Sequence, residues 1–253
     1  MTTPGRLQRE NRIELAWARV EGREPTLVFL PGFRSNMNGD KATFLARYCS
    51  EQGQAMLRFD YSGHGESGGR FEEGTIGSWT HDSLRLIDRL TRGPLVLVGS
   101  SMGGWIALLV ALARPERVAG LIGVAAAPDF TERLMWGAMS LQDRERLLTH
   151  GTLEAPSAYG GPYPITRALI EDGRRHLLLD HPIAVRCPVR LLHGQRDLDV
   201  PWETALTISR VVEADDVQVT LVKDGDHRLS RPRDLALLLR TVRTVWEKVA
   251  TAG

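Results

Sequence analysis

Short apolar runs alternate with longer segments of helical spacing along this chain, and that alternation constrains the fold more than any other feature. Residues 26–30 (TLVFL) stop at Pro31-Gly32, the pattern of a buried strand ending in a turn. Residues 40–52 repeat apolar side chains at Ala42, Leu45, Ala46 and Tyr48, and Gly53 follows where a helix would end on a left-handed residue. Residues 55–59 read as a strand, 78–90 as a helix carrying Trp79, Leu84, Leu86, Ile87 and Leu90, and 95–98 as a central strand buried on both faces. A small-residue helix over 102–114 comes next, then strands at 118–126, 189–193 and 217–222, and a closing helix over 234–249. Strands and helices in this rhythm build βαβ units, hence an α/β fold with a mostly parallel central sheet flanked by helices. Residues 7–20 are expected to add two antiparallel edge strands.

The rhythm breaks once. Between Pro128 and Pro188 no strand stands out; 134–148 and 166–180 have helical spacing, with turn-rich sequence over 155–164 between them. The chain therefore divides into a core of 1–128 and 188–253 and a helical cap insertion, 129–187. The expected place for the cap is over the C-terminal edge of the sheet, where open α/β sheets bind their ligands.

The chemistry begins at Gly99-Ser100-Ser101-Met102-Gly103, a Gly-x-Ser-x-Gly pattern. It follows the strand at 95–98 and opens the helix from Met102, so Ser101 falls on a tight strand-to-helix reversal with the helix N-terminus beside it. The flanking glycines suit this turn because a Cβ there would collide with it.

A serine hydroxyl needs a base to act as a nucleophile at neutral pH. Of seven histidines, His227 lies in Gly225-Asp226-His227-Arg228, between the last strand and the last helix, on the edge that also carries Ser101. His193 at a strand end and His64 in Tyr61-Ser62-Gly63-His64-Gly65 read as structural residues. The remaining four read as surface or cap residues. The acid that orients the base should come from His193-Gly194-Gln195-Arg196-Asp197-Leu198-Asp199, where Asp197 and Asp199 are both candidates and Asp197, nearer the strand end, is preferred. Two N–H donors for a tetrahedral oxyanion are expected from Met102, just after the nucleophile, and from Phe33 in the Pro31-Gly32-Phe33-Arg34 turn. Trp105, Met135, Trp136, Tyr159 and Tyr163 are the candidates for a substrate pocket with apolar walls and few charges.

Composition narrows the alternatives. Lys and Arg total 32 against 31 Asp and Glu, too even a balance for a chain whose main task is gripping nucleic acid. Cys49 and Cys187 form neither a disulfide framework nor a Cys-x-x-Cys motif, and a reducing compartment is expected. No metal-binding spacing occurs, and the proposed chemistry requires no cofactor. The apolar run of residues 105–113 is too short to span a bilayer, which takes about 20 residues. The polar opening residues carry no signal or transit pattern, so a cytoplasmic protein is expected.

With these residues in order, the chain resembles the α/β-hydrolase superfamily along nearly its full length. The resemblance is carried by Leu30-Pro31-Gly32-Phe33, by the stretch Phe59-Asp60-Tyr61-Ser62-Gly63-His64-Gly65-Glu66-Ser67, and by the segments around Ser101, Asp197 and His227. Gly74-Thr75-Ile76-Gly77-Ser78-Trp79 and Gly99 to Trp105 are most similar to the branch of mitochondrial palmitoyl-protein thioesterases that also cleave acyl glucuronides, and its bacterial relatives. The resemblance implies a Ser101–Asp197–His227 triad, an oxyanion hole from Phe33 and Met102, and a small ester or acylated thiol as substrate. Pro31-Gly32 stands where many esterases have His-Gly, so their motifs do not transfer, and the missing transit pattern points to a bacterial relative or a mature form. Carbon–carbon or lactone cleavage on the same scaffold is the neighbouring alternative, and a non-catalytic ligand binder the more distant one.

Overall fold

The computed structural model describes residues 2–9, 12–156 and 161–251. Ten strands and seven α-helices are described in this order: β1 (Thr2–Gln8), β2 (Glu14–Val20), β3 (Arg23–Leu30), α1 (Asp40–Gln52), β4 (Gln54–Phe59), α2 (Ile76–Leu90), β5 (Leu95–Ser100), α3 (Met102–Ala113), β6 (Val118–Val124), α4 (Leu141–His150), β7 (Thr152–Ala155), β8 (Tyr163–Thr166), α5 (Arg167–Arg174), β9 (Val189–Gly194), α6 (Glu203–Val211), β10 (Val217–Val222) and α7 (Pro232–Thr251). Eight strands form one sheet in the order β1-β2-β4-β3-β5-β6-β9-β10. β1 pairs antiparallel with β2, and β2 antiparallel with β4; from β4 to β10 every neighbour is parallel. Both edge strands expected near the N-terminus are present, the first beginning well before residue 7.

The apolar runs of the central strands serve two cores. Val28, Leu30, Leu95 and Leu97 face α2, α3 and α6, with Trp79, Leu86, Trp105 and Ile208 in one cluster. Leu27, Phe29, Val96 and Val98 face α1 and α7, with Leu45, Cys49, Leu238 and Val242 in the other. Alternate side chains of a pleated strand point to opposite faces, so a strand covered on both sides must be apolar throughout. The chain leaves β3 for β4 on one side and β5 on the other. This reversal opens a crevice at the C-terminal ends of β3 and β5.

Among the described residues between β6 and β9, none joins a strand to the main sheet. This part is not purely helical, contrary to the expectation from its spacing. β7 and β8 pair antiparallel, Thr152 opposite Thr166 and Ala155 opposite Tyr163, as a separate two-stranded sheet. The helix expected over 134–148 is split into a π-helical turn, Thr131–Trp136, and α4. The helix expected over 166–180 stops after Arg174. Leu147, Ile165 and Ile170 bury one another in a small core of this segment. One buried acid links two stretches of this segment to each other, and a second bonds the segment to the rest of the molecule. Asp129, fully buried, accepts the N–H groups of Leu178 and Leu179 at 2.8 and 2.9 Å. Asp172 accepts the Gly77 N–H at 2.7 Å, at the N-terminus of α2.

Candidate active site

The reversal from β5 to α3 holds Ser101 at φ 55° and ψ −121°, a conformation that costs a non-glycine residue free energy and must be held in place by its surroundings. Three contacts hold it. The Ser101 N–H donates to Val124 O at 2.9 Å, and Ser101 O accepts from Gly104 at 2.8 Å and Ala127 at 3.1 Å. The glycines around it are required by packing: a Cβ on Gly99 would lie 2.2 Å from Gly103 O, and one on Gly103 would lie 2.0 Å from Leu30 O.

His227, in the loop after β10, places Nε2 3.1 Å from Ser101 Oγ. Its Nδ1 is 2.7 Å from Asp197 Oδ2. The Asp197 side chain is wholly buried, and its Oδ1 accepts the N–H groups of Asp199 and Val200, each at 2.9 Å. Burial pushes its carboxyl pKa up, but hydrogen bonds from His193 and His227, attraction to His227 and the Val200 N–H together hold it well below the usual carboxylate range. Asp199 is exposed and meets Asp197 through its backbone N–H, so of the two candidate acids Asp197 is the one on the histidine. Asp197, Asp199 and His227 are the only group of three or more His, Cys or acidic side chains among the described residues close enough together to hold a cation, and there Nδ1 of His227 is already engaged by Asp197.

Facing Ser101 is the loop after β3. A Cβ on Gly32 would touch Ser101 Cβ at 3.3 Å, so the loop and Ser101 are in close approach. The loop is fixed on both sides of Phe33. Tyr61 donates its hydroxyl to Pro31 O at 3.0 Å, and Ser35 N–H closes a turn onto Gly32 O at 3.0 Å. Arg34, itself at φ 57°, donates its N–H to His64 Nε2 at 3.2 Å. The N–H groups of Phe33 and Met102 have no acceptor among the described residues. The first is left over by the turn, and the second is an orphan donor of the first turn of α3. The Phe33 ring sits edge-on to Phe71, Trp79, Phe130 and Tyr163, with centroids 5.0 to 5.9 Å away. Burial pushes the His64 pKa down to about 4, partly opposed by its contact with Ser62 O, so at neutral pH the ring is uncharged and Nε2 is free to accept.

A cavity of about 880 Å³ opens over Ser101 and His227. Met135 and Tyr163 line it as expected, joined by Met139, Leu153 and Ile165. Two of the expected wall residues do not line it. Trp105 is fully buried in the core, its indole N–H donated to His176 O at 3.0 Å, because the first turn of α3 points it beneath the cavity floor. Trp136 lies between the guanidinium groups of Arg144 and Arg174, 5.1 and 4.6 Å from its ring, and packs within its own segment. Tyr159 lies outside the described residues. The walls are also more charged than expected: Arg34, Lys41 and Arg228 reach the cavity, and so do Asp40, Glu154 and Asp199. Residue spacing revealed neither these rim charges nor the clamp of His64 on Arg34, since loops far apart in sequence bring them together. The strand-end position of His193 was visible, but its contact with Asp197 was not.

The alpha/beta hydrolase fold family matches residues 25–151. The mitochondrial palmitoyl-protein thioesterase ABHD10 of Homo sapiens is 41% identical over 247 residues, covering 97% of this chain and 80% of the relative. The structure of alpha/beta hydrolase domain-containing protein 10 from mouse superposes with a TM-score of 0.91 at 40% identity, over 98% of this chain and 99% of the other. A protein from Agrobacterium vitis S4 superposes equally well, at 39% identity over 97% and 98% of the two chains. Among the described residues no helix is long and apolar enough to cross a membrane.

Proposed function

Since the chain belongs to the α/β-hydrolase family, we propose that it hydrolyses thioesters and carboxylic esters of apolar acyl groups through an acyl-enzyme on Ser101. One observation carries this reading: the unbroken hydrogen-bonded series Ser101 Oγ, His227 Nε2, His227 Nδ1, Asp197 Oδ2. His227 takes the Ser101 proton as Oγ bonds to the acyl carbon. The N–H groups of Phe33 and Met102 receive the oxyanion, and the buried, ionised Asp197 stabilises the imidazolium. Collapse of the tetrahedral intermediate breaks the bond to the leaving sulfur or oxygen, which departs with the proton held by His227. A water then gives a proton to His227, adds to the acyl carbon, and releases the acid with Ser101 reprotonated.

The cavity supports an apolar acyl group. Met135, Met139, Leu153 and Ile165 offer apolar surface on one side, while Lys41, Arg228 and Ser230 lie on the His227 side, where the leaving group departs. In this reading residues 129–187 act as a cap on a core of 1–128 and 188–253. The name of the human relative supports a long-chain acyl thioester on a protein cysteine as one substrate class. An acyl sugar ester is the corresponding oxygen ester.

The test is labelling by a fluorophosphonate probe, with the modified peptide identified by mass spectrometry, beside turnover of p-nitrophenyl esters and acyl-CoA thioesters. Label on Ser101 is expected. Ser101→Ala should lose both label and turnover, the latter by about three orders of magnitude or more. Full turnover in Ser101→Ala, or label on another residue, would overturn the reading.

A further inference from the structure

We infer that His193 is a positioning residue of the reaction, holding the edge of the Asp197 carboxylate that faces His227. The role presupposes the acyl-enzyme reading above. His193 is on β9, paired with Leu221 of β10, and is completely buried. Its Nε2 lies 3.1 Å from Asp197 Oδ2 and 3.1 Å from Val200 O. Both of these atoms are acceptors, so the proton must sit on Nε2, which donates to both. Nδ1 is then a buried atom with no partner among the described residues. Keeping the ring in this orientation therefore forgoes a hydrogen bond at one nitrogen to make two at the other.

The oxygen that receives His193 is the one that receives Nδ1 of His227, while Oδ1 takes the two backbone N–H groups. Those backbone donors fix one end of the carboxylate. His193 fixes the rotation that turns the other end toward His227, and it shares the charge on that oxygen. A histidine that served only the loop would need its bond to Val200 O alone. The bond to Oδ2 places it on the catalytic series.

His193→Gln and His193→Leu separate the two roles. Glutamine carries a donor nitrogen as many bonds from Cβ as Nε2 is; leucine has similar bulk and no donor. With p-nitrophenyl butyrate, the leucine variant should lose kcat by about tenfold to a hundredfold, the loss of one hydrogen bond to a charged group, with KM within about twofold. The glutamine variant should regain most of it. The proton NMR resonance of His227 Nδ1–H should move in the leucine variant and stay near its wild-type position in the glutamine variant. If leucine does not fold, His193→Asn takes its place, since its nitrogen reaches only to the Nδ1 position. Equal kcat losses in the donor and non-donor variants, or an unmoved resonance, would reduce His193 to a filler of the core. A wild-type enzyme unreactive to fluorophosphonate would instead remove the acyl-enzyme reading itself.

Discussion

At the scale of single residues, two acids two positions apart have opposite fates. The Asp197 carboxylate is buried under four donors, and Asp199 meets it through its N–H. Asp197→Asn should therefore lower kcat by up to about four orders of magnitude, because an amide cannot hold the histidine in the right tautomer. Asp199→Asn keeps the backbone donor and should stay within a few fold; the reverse ranking in steady-state kinetics would move the acid to Asp199. His64 gives a pH-dependent prediction. Its pKa is about 4 in the folded protein against an ordinary 6.5. Above pH 6.5 neither state holds the extra proton. Between 6.5 and 4 only the unfolded chain takes it up, so this group removes stability as the pH falls through that window, by up to about 1.4 kcal/mol per unit, and adds no further loss below it. Urea denaturation at pH 7.5, 6 and 5 should show a shallower decline in His64→Gln than in the wild type, and parallel curves would refute the assignment. Comparing the two proteins cancels the opposing slope from the buried carboxyls of Asp60, Asp82 and Asp129, whose pKa values burial raises.

Among the elements, α2 shows how local chemistry and tertiary contact share one helix end. Thr75 accepts the Ser78 N–H at 3.2 Å, and Ser78 Oγ accepts the Thr75 N–H at 2.8 Å, a reciprocal cap. Asp172 from α5 occupies the Gly77 N–H beside it. Thr75→Ala should cost about 1 kcal/mol of stability, read as a lower Tm, and leave kcat near wild type because the helix carries none of Ser101, Asp197 and His227. An unchanged Tm would mean that Asp172 alone carries the end. The β7–β8 pair shows the opposite balance. Its two strands, TLEA and YPIT, have four residues each and one contains a proline, too little alternation to read as strand. They are kept extended by burial of Leu153 and Ile165 against Leu147 and Met135.

For the whole molecule, the cavity exists because the segment between β6 and β9 packs over the C-terminal edge of the sheet. Its apolar side meets the loop after β3 through the Phe33–Tyr163 contact, and the guanidinium of Arg34 lies 5.0 Å from the Tyr163 ring. Lengthening an acyl chain from acetyl should therefore raise kcat/KM by about 0.8 kcal/mol, roughly fourfold, for each methylene fully buried, until the cavity is full. A p-nitrophenyl ester series checks this. A flat or falling profile from acetyl upward would mean that the apolar walls do not hold the acyl group.

The sequence by itself determined the sheet, the elbow and the chain order of Ser101, Asp197 and His227. A strand buried on both faces must be apolar throughout, and a turn that brings Gly103 against Leu30 O admits only glycine; both are local demands written in neighbouring positions. Only the tertiary structure decided which large apolar side chains face the cavity, where Trp105 and Trp136 turned away and Met139 and Leu153 turned in. It also decided that His64 braces the loop after β3 and that His193 bonds to Asp197. The physical reason is that a buried polar group takes whatever partner the packing of distant strands and loops brings within about 3 Å, and residue spacing carries no record of that meeting.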